Sequence, residues 1–134
     1  MKLFLASIMT VFSLTTYAQS HDHSETICST QFSDVCLHLG IHQKLNTTDA
    51  GMFMVHFLLD PTQAANINNL TVELWMDMGN GHGHGSAPVK VTPNGPGKYL
   101  VTDAYFVMEG QWLVKVGFDY QGAHEVITVP VQVE

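Results

Sequence analysis

Short alternating segments, each closed off by turn residues, constrain this chain more than anything else in it. From residue 34 onward it reads VCLHLGIHQ, MFMVHFLLD, LTVELWMDM, PVKVT, KYLVTDAYFVM, QWLVKVGFDY and EVITVPVQV, separated by NTTDAG, PTQAANINN, GNGHGHGSA, PNGPG, EG and QGA. Alternation of apolar and polar residues marks a strand with one buried face, because successive side chains leave a strand on opposite sides. No segment carries a helical period. Seven short strands rich in Val, Thr and aromatics within residues 34–134 predict a single all-β domain, an antiparallel β-sandwich. Residues 19–33, which open QSHDHSETI and include Cys28, read as a mobile polar lead-in.

Period two then assigns faces. In the sixth strand Trp112, Val114, Val116 and Phe118 turn inward, and Lys115 and Asp119 outward. In the third, Val72, Leu74, Met76 and Met78 share a side opposite Glu73 and Asp77. In the fifth, Leu100, Ala104, Phe106 and Met108 lie together, opposite Tyr99, Asp103 and Tyr105. If successive strands run antiparallel, the third ends at GNGHGHG, at the same end of the sandwich where the fifth reaches MEGQW. The second strand begins at that end, with Met52 and Met54. Strand parity alone therefore gathers Met52, Met54, Met76, Met78 and Met108 at one end, beside His82 and His84.

The N-terminus predicts export. Lys2 precedes an apolar run from Leu3 to about Leu14, and Thr16 and Ala18 supply the small residues of a cleavage site, so residues 1–18 read as a secretory signal peptide. That run is short for a bilayer span, and no later segment is long and apolar enough to form one. The chain holds five lysines and no arginine against twelve carboxylates, a formal net charge of −7. Phosphate recognition leans on arginine and basic patches, so nucleic-acid binding is set aside. An acidic surface suits cations or basic partners.

Cys28 and Cys36 are the only cysteines, and C-x7-C is not a customary zinc or redox spacing. Export places both where disulfides persist, so a Cys28–Cys36 bridge is expected, with thiolate metal ligation as the alternative.

Thioethers are soft, neutral ligands that favour Cu(I), and imidazole suits copper, zinc and nickel. Methionine does not titrate, so a Met-rich site keeps its affinity where histidines protonate. Met78, His82, His84 and Met108, with Met76 next, are the expected Cu(I) ligands. Glycines around the two histidines would let the loop fold onto a metal. The bland alternative is that the methionines fill core gaps and the Gly-His run is a solvated turn. Cleavage after Ala18 would also put His21 at position three of a new terminus. The amine, two backbone amides and that imidazole form the square-planar nitrogen set favoured by Cu(II) and Ni(II), unless Gln19 cyclises.

On the first two strands, His38 and His42 share a face, as do Met52, Met54 and His56. If these strands pair, the two groups lie side by side on an outer face, where ordinary surface roles suffice. His124 begins the last strand, at the opposite end, and reads as structural. No nucleophile elbow or paired acid–base constellation appears, which predicts a protein that is not an enzyme.

The stretch MDMGNGHGH, followed by GKYLVTDAYFVMEGQWLVKV, resembles the exported YtkA-like and FixH-like domains. The resemblance covers roughly residues 70–118. Their pattern is a Met-x-Met-Gly-His-like strand end, a Gly-Tyr-like strand start and a Met-x-Gly-x-Trp turn. Here these are Met76, Met78, Gly79 and His82; Gly97 and Tyr99; and Met108, Gly110 and Trp112. Asp77 stands where the family often has proline, and Asn80–Gly81 precedes His82, so either His82 or His84 takes the family's histidine position. The resemblance implies an immunoglobulin-like sandwich outside the cytoplasm, linked to copper handling or to assembly of membrane oxidases. FixH-like proteins are typically membrane-anchored, which this chain is not expected to be. The expectation is a periplasmic copper-binding or copper-delivery protein that meets an envelope metalloprotein or oxidase complex. The alternative is a metal-free immunoglobulin-like interaction or assembly module.

Overall fold

The alternating segments form strands, and the strands form two sheets. A computed structural model describes residues 26–134; the apolar N-terminal run, the expected cleavage point at Ala18, and His21 and His23 lie outside the described residues. The elements are β1 (Thr26–Cys28), β2 (Cys36–Gly40), β3 (Gly51–Phe57), α1 (Pro61–Ala64), β4 (Asn68–Gly79), β5 (His82–Gly85), β6 (Lys90–Pro93), β7 (Lys98–Ala104), β8 (Gly110–Tyr120) and β9 (Ala123–Val133). One sheet has the order β1-β2-β3-β7-β6 and the other β5-β4-β8-β9. Every pairing is antiparallel. Strands β2-β3-β7-β6 facing β4-β8-β9 reproduce the ABED and CFG sheets of an immunoglobulin-like sandwich, with β5 added in the C′ position.

Between the sheets lies one apolar core. Phe53, Val55 and Phe57 of β3 face Trp112, Val114, Val116 and Phe118 of β8, and all are at most 1% exposed. Ring contacts cross the gap: Phe57 meets Phe118 edge-on at 4.9 Å, and Phe106 meets Trp112 at 5.3 Å. Among the described residues no polar or charged side chain is buried. No described helix is long and apolar enough to cross a membrane.

Two strands form beyond the seven expected, one in the polar lead-in and one in an expected turn, and one strand face reverses. Of the polar lead-in, residues 26–28 pair with β2 as β1, because the Cys28–Cys36 disulfide joins directly opposed positions. Glu125 of β9 fastens the next residues, accepting from the Ser29 hydroxyl and from the Thr30 amide at 3.0 Å. The second addition is β5, which lies inside the GNGHGHGSA segment. Between β3 and β4, the expected loop contains one helical turn; Asp60 caps it by accepting from the amides of Thr62 and Gln63, and Pro61 occupies its first position.

The reversal concerns β7. Tyr99 and Val101 pair with the inward Val55 and Phe53, so Leu100 faces outward beside Met54. Before Ala104 the register shifts, and Asp103 takes φ +58. This bulge inserts one residue and restores Ala104 and Phe106 to the core. Period two was applied across a residue that does not obey it.

Replacing both Cys28 and Cys36 by Ser releases β1 from its partner strand. In the chain-entropy view so short a loop contributes about 2–3 kcal/mol. Urea unfolding of the double variant should show a loss of that order, and the parent chain should lose the same amount on reduction.

Candidate metal centre

Antiparallel pairing puts the end of β4, the start of β8 and the end of β7 together, as strand parity requires. Asn80 and Gly81 form a two-residue hairpin between β4 and β5 with φ of +53 and +75, the signature of a type I′ turn and the reason Asn-Gly suits it. The histidines therefore sit on a strand and not on a loop that could wrap an ion. Register then decides their neighbours: Met76 lies directly opposite His84, Asp77 opposite Gly83, and Trp75 opposite Gly85. Directly opposed residues point to the same side of a sheet, with Cβ atoms about 4.5–5.5 Å apart. His84 and Met76 thus share the inward face, at its open end.

The glycines of this hairpin have a job other than flexibility. A Cβ on Gly83 would fall 2.5 Å from the indole of Trp75, so residue 83 must lack a side chain for that ring to lie across β5. On its other side the ring carries Lys115, whose Nζ stands 4.6 Å from the ring centroid. Trp75 and Lys115 hold the outward face of the hairpin flat while the inward face carries Met76 and His84.

The Met-x-Gly-x-Trp turn closes this end from the other strand. Trp112 is fully buried, and its indole N–H donates to the carbonyl of Met108 at 2.9 Å. This fixes the turn to the core. Gly110 has φ +124, and a Cβ there would lie 3.0 Å from the Cε of Met76. The thioether methyl of Met76 therefore rests on the turn that carries Met108. Ser86, two residues past His84, donates its hydroxyl to the carbonyl of Tyr105 on the same connection. Three pieces of chain thus meet, bringing Met76, His84 and the Met108 turn together.

Other expected ligands sit further out. Met78 falls at the bulge where the register shifts between Asp77 and Gly79, and it is 54% exposed instead of continuing the core row. His82 is paired with Gly79 across the turn, off the Met76 position, and is exposed, as His84 is too. Val107, 63% exposed, and Tyr105, 51% exposed, stand on the connection that carries Met108. Met52 and Met54 belong to the outer face of the other sheet. No three His, Cys, Asp or Glu side chains converge among the described residues, so an ion at this end must draw on thioethers. Met76, Met108 and an imidazole are soft and borderline donors, a set that fits Cu(I) and not a hard ion.

Elsewhere the expectations divide. The remaining part of the motif, the Gly-Tyr strand start, lies at the opposite end, where the Gly97 carbonyl accepts from the Phe57 amide at 2.8 Å and Tyr99 packs edge-on to Phe57. Partial burial raises the Tyr99 pKa. This part of the pattern builds the sandwich and touches no methionine of the cluster. His124 is also at that end, with Nδ1 2.7 Å from Asp119; hydrogen bonds from Asn69 and His124 hold that carboxyl below its usual pKa. On the outer face of the first sheet His38 lies directly opposite His56, as pairing of the first two predicted strands requires. Partial burial, then Lys98 and His38, lower the His56 pKa.

The described architecture is that of a small immunoglobulin-like domain with a thioether-bearing end. The sequence profile of the YtkA-like family matches residues 43–117, more than half of the chain, and the chain belongs to that family. No curated protein and no solved structure matches it.

Gly110→Ala tests the close approach at this end. The positive φ should cost about 1–3 kcal/mol, read as a lowered unfolding midpoint. The Met76 methyl resonance should shift as the methyl is pushed off the turn. An unchanged midpoint would show that the turn adapts freely.

Proposed function

We propose that this protein is an exported copper carrier that holds Cu(I) as cargo at the end formed by β4, β5 and the Met108 turn. The observation that carries the reading is the register: Met76 stands opposite His84 while its methyl rests on the turn bearing Met108. A strand and a turn tied to Trp112 supply these donors, so little chain must be ordered on binding. Met76, Met108 and His84 make the inner set. Met78 and His82 stand outside it, where an arriving or departing ion meets them first. Of the two histidines, His84 is the one whose register sets it directly opposite a methionine, Met76. Exposed donors next to half-buried ones suit stepwise ligand exchange with a second protein, an envelope metalloprotein or an oxidase under assembly. Carriage of this kind requires no catalysis.

Residues 1–18 act in this reading as the export signal, and the lead-in that follows puts His21 where Cu(II) or Ni(II) would take a square-planar nitrogen set. Export to the periplasm agrees with the disulfide, which persists in oxidising compartments. A second reading, a metal-free interaction module, draws on Met78, Tyr105 and Val107, whose exposed apolar surface lies at the same end.

Titration of the chain with Cu(I) against a competing chelator decides between them. Met76→Ala and His84→Ala should each weaken binding at least about tenfold, more than His82→Ala, since even an outer-shell partner's loss costs about that much. His124→Ala should change nothing. Equal and weak binding by the parent and all variants would leave the apolar end as a docking surface only.

A further inference from the structure

The outer face of the β1-β2-β3-β7-β6 sheet carries a second group of donors that the copper reading does not use. His38 of β2 and His56 of β3 are directly opposed, in a row that continues to Thr26 on one side and Lys98 on the other. Opposed residues place their Cβ atoms about 4.5–5.5 Å apart on one face. Two imidazoles so placed can turn a ring nitrogen each toward one ion at the usual metal–nitrogen distance of about 2.0–2.1 Å. Both are half-buried on regular strands, so the pair is held without a loop to order.

A third imidazole reaches the same face. Gly40 follows His38 by two positions, and so presents an empty place beside it on that face. His42 lies beyond the end of β2, yet its Nε2 is 3.6 Å from where a Cβ of residue 40 would stand. The ring therefore folds back over Gly40, next to the His38–His56 row. Met54 is opposite Gly40, but its sulfur takes a 3.9 Å contact from Asn94 on the far side, so the imidazoles carry the argument. As they stand, three such donors do not converge on one point; His42 must turn to complete the set.

We propose that His38 and His56, with His42 turning in as third ligand, form a surface site for a divalent ion of the borderline class, tightest for Cu(II) and weaker for Zn(II). Imidazole is the ligand this class shares, and Cu(II) heads the affinity order for nitrogen donors. Lys98, opposite His56, places a positive charge at the edge of the site and weakens it. The chain's formal charge of −7 acts in the other direction. This site is on the opposite sheet from the hairpin that carries His82 and His84, and does not depend on the Cu(I) reading.

The test uses the full chain carrying His21→Ala and His23→Ala, so that the lead-in adds no nitrogen donors. Cu(II) added below one equivalent should broaden the ring resonances of His38 and His56 first, with those of His42 following. By competition titration, His38→Ala or His56→Ala should weaken Cu(II) and Zn(II) binding at least about tenfold, the scale of even an outer-shell loss. Lys98→Met should tighten it, and His82→Ala/His84→Ala should leave it unchanged. Broadening centred on His82, His84 or His124 would overturn the proposal. So would binding by the His38→Ala and His56→Ala variants as tight as that of their parent.

Discussion

The indole of Trp112 is the fixed point on which the Met/His end depends. Its ring fills the core beneath Phe106, and its N–H takes the one acceptor that ties the following architecture down, the carbonyl of Met108. A buried indole N–H without a partner would cost about 1–3 kcal/mol, so the ring and the turn stabilise each other. With the turn held, Gly110 must adopt a positive φ, and the space left by its missing side chain receives the methyl of Met76. The family's Met-x-Met and Met-x-Gly-x-Trp elements thus form one packed unit. Packing needs alone account for Trp112 and Gly110. They do not account for a methionine at position 76, opposite His84 and against the turn that bears Met108, where leucine would bury as much surface without an oxidisable sulfur.

How much of this was legible in the sequence varied with the kind of signal. Alternation located all seven predicted strands, and parity placed the methionines at one end because every pairing within the two sheets is antiparallel. β5 was hidden because G-H-G-H-G offers no apolar alternation, although Asn80–Gly81 is a strong hairpin signal. Reading those residues as an insertion and the glycines as freedom missed the reason for them, which is the indole of Trp75 lying over Gly83. The face of Leu100 was misjudged because the bulge at Asp103 comes after it, and counting was anchored on Ala104 and Phe106. Met78 was placed on the core row for a related reason, the register shift beside Gly79. β1 is too short to show alternation, and only the expected Cys28–Cys36 bridge, between residues eight apart, hinted that Thr26–Cys28 lies beside the start of β2.

The two donor groups differ in ways that follow from where the fold puts them. Met76 and Met78 sit where β4 runs past the edge of the core, and Met108 on the turn beside it; Met76 and Met108 are half-buried and Met78 is exposed. Histidines His38 and His56 sit mid-strand on a face that water reaches, with a lysine for a neighbour. Protonation and the Lys98 charge both act on the imidazole face, and neither acts on neutral thioethers. Acid would therefore act on every donor of the proposed face but on only one of the three proposed at the end.

On the two proposals, that separation would bear on how a single small domain handles copper in an oxidising compartment. Cu(I) is the form thioethers hold, and Cu(II) is the form nitrogen donors hold. If both proposed sites operate, each oxidation state has its own surface, one on the inward face at the open end and the other on the outer face of the β1-β2-β3-β7-β6 sheet. Direct hand-over within one molecule is then disfavoured, because no described side chain bridges the sandwich from one donor group to the other and no polar side chain is buried between them. Any exchange would pass through solvent or a second protein. The end bearing Met78, Tyr105 and Val107 offers apolar surface for such a partner, whereas the histidine face offers polar neighbours such as Lys98 and Thr26. On these proposals the soft site would serve delivery to a partner, and the imidazole face capture from solution.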